Sequence, residues 1–417
     1  MPMQLKVLFV VPYVPDLIRV RPYNLIRHLA ERGNQVMVVA PWTNEEEHEK
    51  LQQLRGPGVD VAGVDLPTWR SYWNCLLAVP TTIPLQSVYC WHPALMQTVT
   101  TLLADHAEKS IDVVHVEHLR GARYGLKLLQ ELADSAVPVV WDSVDSISYL
   151  FRQTVDRNPQ GLRRVLTQLE LQRTEWYEGY LVNAFDHVLV TSKTDKKALE
   201  ELAHLAAPAA DKVAVLNNGV DLAYFMPEPG LQREPATLVV SGKLSYHANV
   251  SMVLHLAQNV MPLVWAERPE VKLCVVGKNP PREILALGEN LAVMVTGTVP
   301  DIRPYLQQAT VAVAPITYGA GIQNKVLEAM ACGTPVVATS KAVSALDILP
   351  GEDVLVADDA QQLARAVLQL LSSRDLQKTI GDAGRRYVEN HHSWKAIAGK
   401  LEAIYWEAVI KKRGKYL

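Results

Sequence analysis

The chain has 417 residues, more than one ordinary hydrophobic core needs, so two domains of roughly 200 residues each are expected. Its 41 Lys and Arg against 44 Asp and Glu give a formal charge of −3, and this balance gives no electrostatic reason to expect a nucleic-acid partner. Four scattered cysteines, without a Cys-x-x-Cys pair, argue against a zinc site or a disulfide framework and favour a reducing, cytoplasmic setting.

The N-terminal half alternates short apolar runs with amphipathic stretches. The first run spans 5–11, a helical pattern covers 22–32 and ends at Gly33, and a second run spans 36–40. Further strand candidates follow along the chain at 59–64, 113–116, 139–141 and 188–191. Continuous β-branched runs joined by helices predict a parallel sheet that is covered on both faces.

After the turn-rich residues 217–221 the same alternation restarts. Strand candidates lie at 237–241, 271–276, 292–295, 311–315, 335–338 and 354–356. Prolines and a glycine place the domain boundary near 217–232. The predicted fold is α/β with two doubly wound, Rossmann-like domains, 1–217 and 218–393. A final amphipathic stretch, 394–417, is expected to form a helix that packs back onto the N-terminal domain.

Ligands of open parallel sheets bind beyond the carboxyl ends of the strands, so we expect the functional site in a cleft between the two domains. No apolar run reaches the length of a membrane span, and the N-terminus lacks the basic-then-apolar pattern of a signal peptide. The sequence therefore predicts neither export nor a membrane-spanning segment.

The most informative segment runs from Val311 to Thr339 and reads as strand, glycine-containing loop, helix and strand. The loop Gly319-Ala320-Gly321 precedes a helix predicted to begin near Gln323. Backbone NH groups at a helix N-terminus favour anions, so a pyrophosphate is expected here. The segment only approaches a dinucleotide fingerprint, because Asn324 replaces the third glycine and no acidic residue closes the next strand. A nicotinamide enzyme is therefore disfavoured, and no P-loop is present.

Within that helix, Lys325 and Glu328 are three residues apart and share a face. The cation could neutralise a diphosphate, and the carboxylate could accept both hydroxyl groups of a ribose. An ordinary exposed Lys-Glu helix pair explains the same spacing, so the residues alone leave the two interpretations open.

This segment, together with Asn218-Gly219-Val220-Asp221 and Ser241-Gly242-Lys243, resembles glycosyltransferase family 4. The family consists of retaining enzymes of the GT-B fold that use activated sugars. The run Gly-Ile-Gln-Asn-Lys-Val-Leu-Glu-Ala-Met is similar to the branch associated with exopolysaccharide and PEP-CTERM gene clusters. The resemblance covers nearly the whole chain and is more specific in the C-terminal half.

The resemblance implies roles for several residues of the C-terminal half. Glu328 would bind the donor ribose, and Lys243 would meet the diphosphate. A second lysine of the family is replaced by Asn249, so Lys325 would supply the missing charge. Backbone groups around Val299 would contact the nucleobase. The donor-binding residues expected on this basis are Glu328, Gly319, Ala320, Gly321, Ile322 and Val299.

One departure concerns Ala320, which stands where the family's Glu-x7-Glu pair has its first glutamate, a residue that usually holds sugar hydroxyl groups. A non-catalytic sugar-nucleotide-binding subunit is therefore the alternative. A pyridoxal phosphate phosphorylase would need a Schiff-base lysine and usually a longer chain. The expected co-substrate is a UDP- or GDP-sugar, with no other cofactor. No Asp-x-Asp motif occurs, so no metal is expected.

In the N-terminal half, the strand candidate 113–116 is followed by Glu117 and His118. The family places a histidine near here, beside the donor sugar. His115 and Glu117 share one face of a strand and His118 the other, unless the strand has ended or contains a bulge. We favour His118 as the residue that contacts the sugar, with Glu117 as its orienting partner or substitute. A structural role of a histidine at a strand end remains the alternative.

Arg19 and Arg21 lie in the predicted first strand-to-helix loop, where they could meet phosphate of the acceptor or donor or simply be exposed. Six residues with rings or a cation cluster further on: Trp69, Arg70, Tyr72, Trp73, Tyr89 and Trp91. They suit a membrane surface or a lipid-linked acceptor. They would equally fill a hydrophobic core, and the sequence slightly favours the core. The expected acceptor is a sugar or a lipid-linked sugar, and peripheral contact with the inner face of the membrane is an open option.

Overall fold

The computed structural model describes residues 4–16, 19–105, 111–157, 162–203, 212–318 and 322–414. The chain divides into two compact units. The N-terminal unit comprises residues 1–217 and 394–417, and the C-terminal unit comprises residues 218–393.

The N-terminal unit is built on a seven-stranded parallel sheet with the order β3-β2-β1-β4-β5-β6-β7. Its strands are β1 (Lys6–Val10), β2 (Gln35–Trp42), β3 (Val59–Asp65), β4 (Val113–Glu117), β5 (Val139–Val144), β6 (His187–Val190) and β7 (Val213–Val215). Alternate residues of β1 belong to two different hydrophobic cores. Leu8 and Val10 pack on one face of the sheet, and Val7 and Phe9 pack on the other. Both faces are therefore buried, as continuous apolar strands require.

Helices cover both faces of this sheet. They are α1 (Val20–Glu31), α2 (Glu45–Gln53), α3 (Thr68–Ala78), α4 (Leu85–Tyr89), α5 (Pro93–Asp105), α6 (His118–Glu131), α7 (Ile147–Arg157), α8 (Leu162–Ala184) and α9 (Lys193–Ala203). Helix α1 begins two residues before the predicted start, so Arg21 lies in its first turn and not in the preceding loop. Strand β7 was not predicted, and it is only three residues long.

The C-terminal unit contains a six-stranded parallel sheet with the order β10-β9-β8-β11-β12-β13. Its strands are β8 (Thr237–Ser241), β9 (Lys272–Val276), β10 (Val293–Val295), β11 (Val311–Ala314), β12 (Val336–Ala338) and β13 (Leu355–Val356). Every strand lies within a predicted run. The prediction of two doubly wound parallel sheets is confirmed.

The helices of the C-terminal unit are α10 (His247–His255), α11 (Met261–Glu267), α12 (Arg282–Leu285), α13 (Arg303–Gln308), α14 (Asn324–Ala331), α15 (Ser340–Val343), α16 (Ala360–Ser372) and α17 (Arg374–His391). A π-helical turn, Leu256–Val260, joins α10 to α11. Asp359 and Ser373 cap α16 and α17 by accepting hydrogen bonds from backbone NH groups of their first turns.

The last helix, α18 (Trp394–Arg413), belongs to the N-terminal unit. It packs against α1, and its buried residues Ile397, Leu401 and Tyr405 join the core on that side of the sheet. Glu402 fixes the helix, since its carboxylate accepts hydrogen bonds from Arg32 Nε at 2.8 Å and from Asn34 Nδ2 at 2.7 Å.

Candidate functional site

In the C-terminal unit, the carboxyl ends of β8 and β9 approach each other closely. Gly242 follows β8 with a φ of 153°, which L residues rarely adopt. A Cβ atom on Gly277, just after β9, would clash with the Gly242 carbonyl oxygen, so glycine is required there. A Cβ atom on Gly242 would lie 3.3 Å from Cε of Lys325. Lys325 on α14 therefore reaches the backbone at this edge of the sheet.

Lys243 directly follows Gly242, and its side chain is exposed. Its carbonyl oxygen accepts a hydrogen bond from Nδ2 of the buried Asn249 at 3.0 Å. Asn249 stands where the family resemblance leads us to expect a lysine. Here the amide holds the backbone that presents Lys243, so Asn249 replaces a charge with a positioning contact.

Helix α14 carries a cation and an anion on one partly buried face. Its opposite face is buried and consists of Val326, Leu327, Ala329, Met330 and Ala331. Lys325 Nζ donates a hydrogen bond to Oε1 of Gln323 at 3.1 Å. The Glu328 carboxylate accepts no hydrogen bond from any residue within the described ranges. Its two oxygens are therefore available to a ligand.

Burial sets the electrostatics of this pair. It lowers the pKa of Lys325 to about 8 and raises the pKa of Glu328 to about 7, while the attraction between the two groups opposes both shifts. A carboxylate partly removed from water is costly unless hydrogen-bond donors reach it. Asn324, the first residue of α14, also has a buried Oδ1 atom without a hydrogen-bond partner. The site thus offers a cation for an anionic group and acceptors for hydroxyl groups.

Five further residues were predicted to bind the donor. Gly319, Ala320 and Gly321 lie outside the described residues. The Ile322 side chain is buried in the core of the C-terminal unit, so only its backbone could contact a ligand. Val299 is partly buried and packs against the same core.

In the N-terminal unit, Glu117 is the last residue of β4 and is almost completely buried. Its Oε1 atom accepts a hydrogen bond from the Tyr13 hydroxyl group at 2.8 Å, and its Oε2 atom has no hydrogen-bond partner. Burial and the nearby Asp142 raise the pKa of Glu117 to about 8. Glu117 is therefore mostly protonated at neutral pH.

His118 follows directly, as the first residue of α6, with a left-handed φ of 61°. The register of β4 shows no bulge, so a turn of the backbone and not a bulge sets the direction of this side chain. Backbone strain of this kind in a non-glycine residue is typical of functional sites. His118 Nδ1 accepts a hydrogen bond from the backbone NH group of Arg120 at 3.3 Å. Burial lowers the pKa of His118 to about 4, so the ring is neutral and Nε2 carries the proton.

Two family models match the chain. The model described as Glycosyltransferase Family 4 matches residues 19–224, and the model described as Glycosyl transferases group 1 matches residues 235–373. Together they cover most of the chain. The chain belongs to glycosyltransferase family 4.

Curated relatives of this family 4 glycosyltransferase match part of the chain. MMP alpha-(1->4)-mannosyltransferase of Mycolicibacterium hassiacum is 27% identical over 58% of this chain and 63% of the relative. D-inositol 3-phosphate glycosyltransferase of Thermobispora bispora is 26% identical over 56% of this chain and 58% of the relative. The matched stretch spans less than two thirds of each of these two proteins.

Solved structures match almost the full length and identify the fold as GT-B. Sucrose-phosphate synthase of Thermosynechococcus elongatus superimposes with a TM-score of 0.67 at 18% identity, covering 97% of this chain and 99% of that chain. Anabaena HepE in complex with UDP-glucose superimposes with a TM-score of 0.65 at 15% identity, covering 97% of this chain and 100% of that chain. Identities this low establish the fold alone.

Two arginines of this family 4 chain were predicted to meet phosphate, and the structure gives them different surroundings. Arg19 is about one third exposed, and its Nη1 atom donates to the Val14 carbonyl oxygen at 3.0 Å and to Glu47 Oε1 at 3.1 Å. Arg21 is buried and forms a bidentate ion pair with Asp142, with Nε to Oδ2 at 2.8 Å and Nη2 to Oδ1 at 3.2 Å. A phosphate role for Arg21 would require breaking this pair, so the ion pair disfavours that expectation.

The aromatic stretch also differs from the interpretation that the sequence favoured. Trp69, Tyr72 and Trp73 on α3 are 64%, 68% and 54% exposed, so they do not fill a core. Tyr89 and Trp91 are partly buried, and Trp91 packs against Tyr124 with ring centroids 4.8 Å apart. The core interpretation is wrong for the α3 residues, because the apolar face of this helix points outward.

A hydrogen-bonded pair in the C-terminal unit, Tyr318 and His247, was not predicted from the sequence. Tyr318 directly precedes residues 319–321, and its hydroxyl group is hydrogen-bonded to His247 Nδ1 at 2.6 Å. The two rings stack with centroids 5.3 Å apart. The aromatic residue next to the glycine loop was a usable signal, but the histidine is remote in sequence and only folding brings it there.

Within the described ranges, no helix combines the length and hydropathy that crossing a bilayer requires. Nor do three or more His, Cys, Asp or Glu side chains of those ranges lie together so that they could hold a metal ion.

Proposed function

We propose that the chain is a retaining glycosyltransferase that moves a sugar from a nucleoside diphosphate sugar to an acceptor hydroxyl group. The observation that carries this proposal is the Glu328 carboxylate, which is partly buried beside Lys325 and accepts no hydrogen bond from any described residue. A ribose diol supplies two donors to one carboxylate, and the adjacent cation suits the diphosphate that follows the ribose. Family membership supports the same reaction class.

Charge stabilisation is the main chemical task of this site. When the bond between the anomeric carbon and the phosphate oxygen breaks, negative charge grows on the diphosphate. In this proposal Lys325 and Lys243 stabilise that charge, which a metal ion does in other enzymes. The acceptor oxygen then bonds to the anomeric carbon on the same face of the sugar, and its proton passes to the leaving phosphate oxygen. Backbone groups of 319–322 and near Val299 are proposed to contact the donor.

The donor and acceptor are proposed at the level of chemical class. A UDP- or GDP-sugar is the proposed donor, and HepE, which binds UDP-glucose, supports a nucleotide sugar. The proposed acceptor is a sugar or a lipid-linked sugar, and the proposed pathway is exopolysaccharide synthesis. The transfer is proposed to take place in the cytoplasm or at the inner face of the cytoplasmic membrane. Arg19 is kept as a candidate phosphate contact. Arg21 is not kept, because Asp142 occupies its guanidinium group.

Glu328→Gln is the direct test of the donor site. We expect nucleoside diphosphate affinity to fall roughly 5- to 150-fold, because the amide is a poorer bidentate acceptor and leaves a ribose hydroxyl group unsatisfied. Isothermal titration with UDP and GDP measures the change. The matched control is Glu352→Gln, which neutralises an exposed carboxylate of the same unit and should leave affinity unchanged. Wild-type affinity in Glu328→Gln contradicts the proposal, and donor binding without turnover in the wild-type chain favours a non-catalytic binding subunit.

His118→Ala should lower turnover roughly tenfold or more with little change in nucleotide affinity, because a neutral Nε2-H group is lost that can donate to a sugar hydroxyl group. Glu117→Gln should be milder, because Glu117 is already protonated at neutral pH. Wild type and Glu117→Gln should therefore behave alike below about pH 8 and diverge above it, where Glu117 ionises.

His118→Asn is the control for the backbone, since asparagine tolerates the left-handed conformation and keeps a side-chain donor. It should retain more turnover than His118→Ala. If Glu117→Gln proves the more damaging change, the role passes to Glu117, and near-wild-type turnover in all three variants removes both residues from the mechanism.

A further inference from the structure

Helix α3 exposes an apolar stripe to solvent. Its members are Trp69, Tyr72, Trp73, Leu76 and Leu77, with exposures of 64%, 68%, 54%, 60% and 59%. Their spacing is that of one helix face. Five large apolar side chains in one stripe exceed the scattered exposed hydrophobic residues of ordinary protein surfaces and mark an interaction surface.

The opposite face of α3 is anchored, so the stripe cannot turn inward. Ser71 and Ala78 are buried, and Asn74 Nδ2 donates a hydrogen bond to the Trp91 carbonyl oxygen at 2.8 Å. The Val79 carbonyl oxygen, just after the helix, accepts a hydrogen bond from Arg173 Nη2 at 2.6 Å. These contacts fix the rotation of α3 about its axis.

A cavity of about 510 Å³ lies along the stripe. Trp69, Trp73 and Trp91 line it together with Arg70 and Arg123. The Arg70 Nε atom is buried without a hydrogen-bond partner, and the Arg123 guanidinium group lies 4.7 Å from the Trp91 ring centroid. Neither arginine forms an ion pair with a carboxylate of the described ranges. The cavity thus combines two uncompensated cations with aromatic walls.

We propose that the α3 stripe and this cavity dock the chain on an anionic lipid bilayer. The tryptophan, tyrosine and leucine side chains enter the boundary between headgroups and acyl chains, where amphipathic rings are favoured. Arg70 and Arg123 bind lipid phosphate groups at the same depth, with the paired geometry that guanidinium and phosphate favour. This surface goes beyond the proposed transfer reaction and does not depend on it.

Charge complementarity favours a bilayer over a second copy of the chain. A two-fold symmetric dimer through α3 would face each patch with its own copy and bring like-charged arginines together. An anionic bilayer instead supplies phosphate to the arginines and an apolar layer to the stripe. Of these two partners, only a bilayer offers both an apolar layer for the stripe and anionic groups for the arginines.

The experiment is co-sedimentation of the full chain with vesicles of phosphatidylcholine alone and of phosphatidylcholine mixed with phosphatidylglycerol. Wild type should bind the mixed vesicles and bind phosphatidylcholine much more weakly. The double variant Trp69→Ser, Trp73→Ser should lose roughly tenfold or more of its partitioning into mixed vesicles. The double variant Arg70→Gln, Arg123→Gln should lose about 30-fold of its partitioning into mixed vesicles, and its binding should depend less on salt.

Matched controls remove the same chemistry elsewhere. Leu291→Ser with Leu349→Ser deletes two exposed apolar side chains of the C-terminal unit, and Lys395→Gln with Lys400→Gln removes two exposed charges of α18. Both controls should bind vesicles like wild type. Circular dichroism and thermal melting establish that each variant is folded, and a single Tyr72→Ser change at the most exposed position of the stripe provides a milder variant.

Three results overturn the proposal. They are equal binding to both kinds of vesicle, unchanged binding of folded α3 variants, and a wild-type dimer in sedimentation velocity that Trp69→Ser, Trp73→Ser converts to monomer. The last result would assign the stripe to a second copy of the chain. Since none of these measurements involves sugar transfer, failure of the docking proposal leaves the proposed enzyme activity standing.

Discussion

Lys325→Ala is expected to lower turnover by roughly 10²- to 10³-fold, because it removes a positioned cation that stabilises charge on the leaving diphosphate. The structure supports a large effect. Lys325 lies in a partly buried site, where electrostatic interactions are stronger than in water, and it reaches the backbone of Gly242 at the sheet edge. Lys243→Ala should cost less, since the Lys243 side chain is exposed and better screened. Steady-state kinetics with the donor identified by ligand screening measures both.

Binding measurements separate a phosphate contact from a general loss of structure. Lys325→Ala should weaken UDP or GDP more than uridine or guanosine, and equal weakening contradicts the assignment. Lys272→Ala is the matched control, because it removes an exposed lysine at the opposite, amino end of β9. Burial also lowers the pKa of Lys325 to about 8, so diphosphate affinity of the wild type should fall as pH rises past that value. This alkaline loss should be absent in Lys325→Ala.

Buried parallel strands are the part of this fold that the sequence predicts best. Such strands read as continuous β-branched runs, and the run predicted at 311–315 forms β11 over Val311–Ala314. Strand β7 was not predicted, because an apolar run of three residues, Val213–Val215, is too short to distinguish a strand from a loop. The ends of elements are predicted less accurately than the elements themselves. Helix α1, for example, begins at Val20 and not at Pro22.

Local spacing predicts only part of the candidate site. The shared face of Lys325 and Glu328 follows from helical periodicity, because both residues lie on one short helix. The hydrogen bond from Asn249 to the Lys243 carbonyl oxygen cannot be predicted in this way, because the sequence does not indicate which group an asparagine on a helix will contact. The left-handed φ of His118 is equally invisible, because it is imposed by the junction of β4 and α6.

Helix α3 shows a further limit of periodicity. A stripe such as Trp69, Tyr72 and Trp73 has the same spacing whether it faces a core or solvent. The orientation is decided by contacts made elsewhere, such as the hydrogen bond from Asn74 to the Trp91 carbonyl oxygen. Sequence alone therefore favoured a core, and only the folded arrangement shows an exposed surface.

Arg21→Ala is expected to lower the free energy of unfolding of the N-terminal unit by about 3–5 kcal/mol, because it leaves the fully buried Asp142 carboxylate without its cation. His115 does not pair with Asp142 in the wild-type chain, since burial lowers its pKa to about 4 and the ring is neutral although its Nε2 lies 3.7 Å from Asp142 Oδ2. Hydrogen exchange of amides in β4 and β5 measures this unit separately from the other.

Two variants and one ligand measurement decide whether Arg21 is structural. Arg27→Ala, on the same helix, breaks an exposed pair with Glu31 at 3.7 Å and should cost less than about 0.5 kcal/mol. Replacing both partners, as in Arg21→Met with Asp142→Leu, should recover most of the lost stability, because no buried charge is then left unpaired. If Arg21 were instead a phosphate ligand, Arg21→Ala would weaken diphosphate or phosphorylated-acceptor binding and leave stability nearly unchanged. A loss of stability without a loss of affinity in the folded fraction therefore assigns Arg21 to the core of the N-terminal unit.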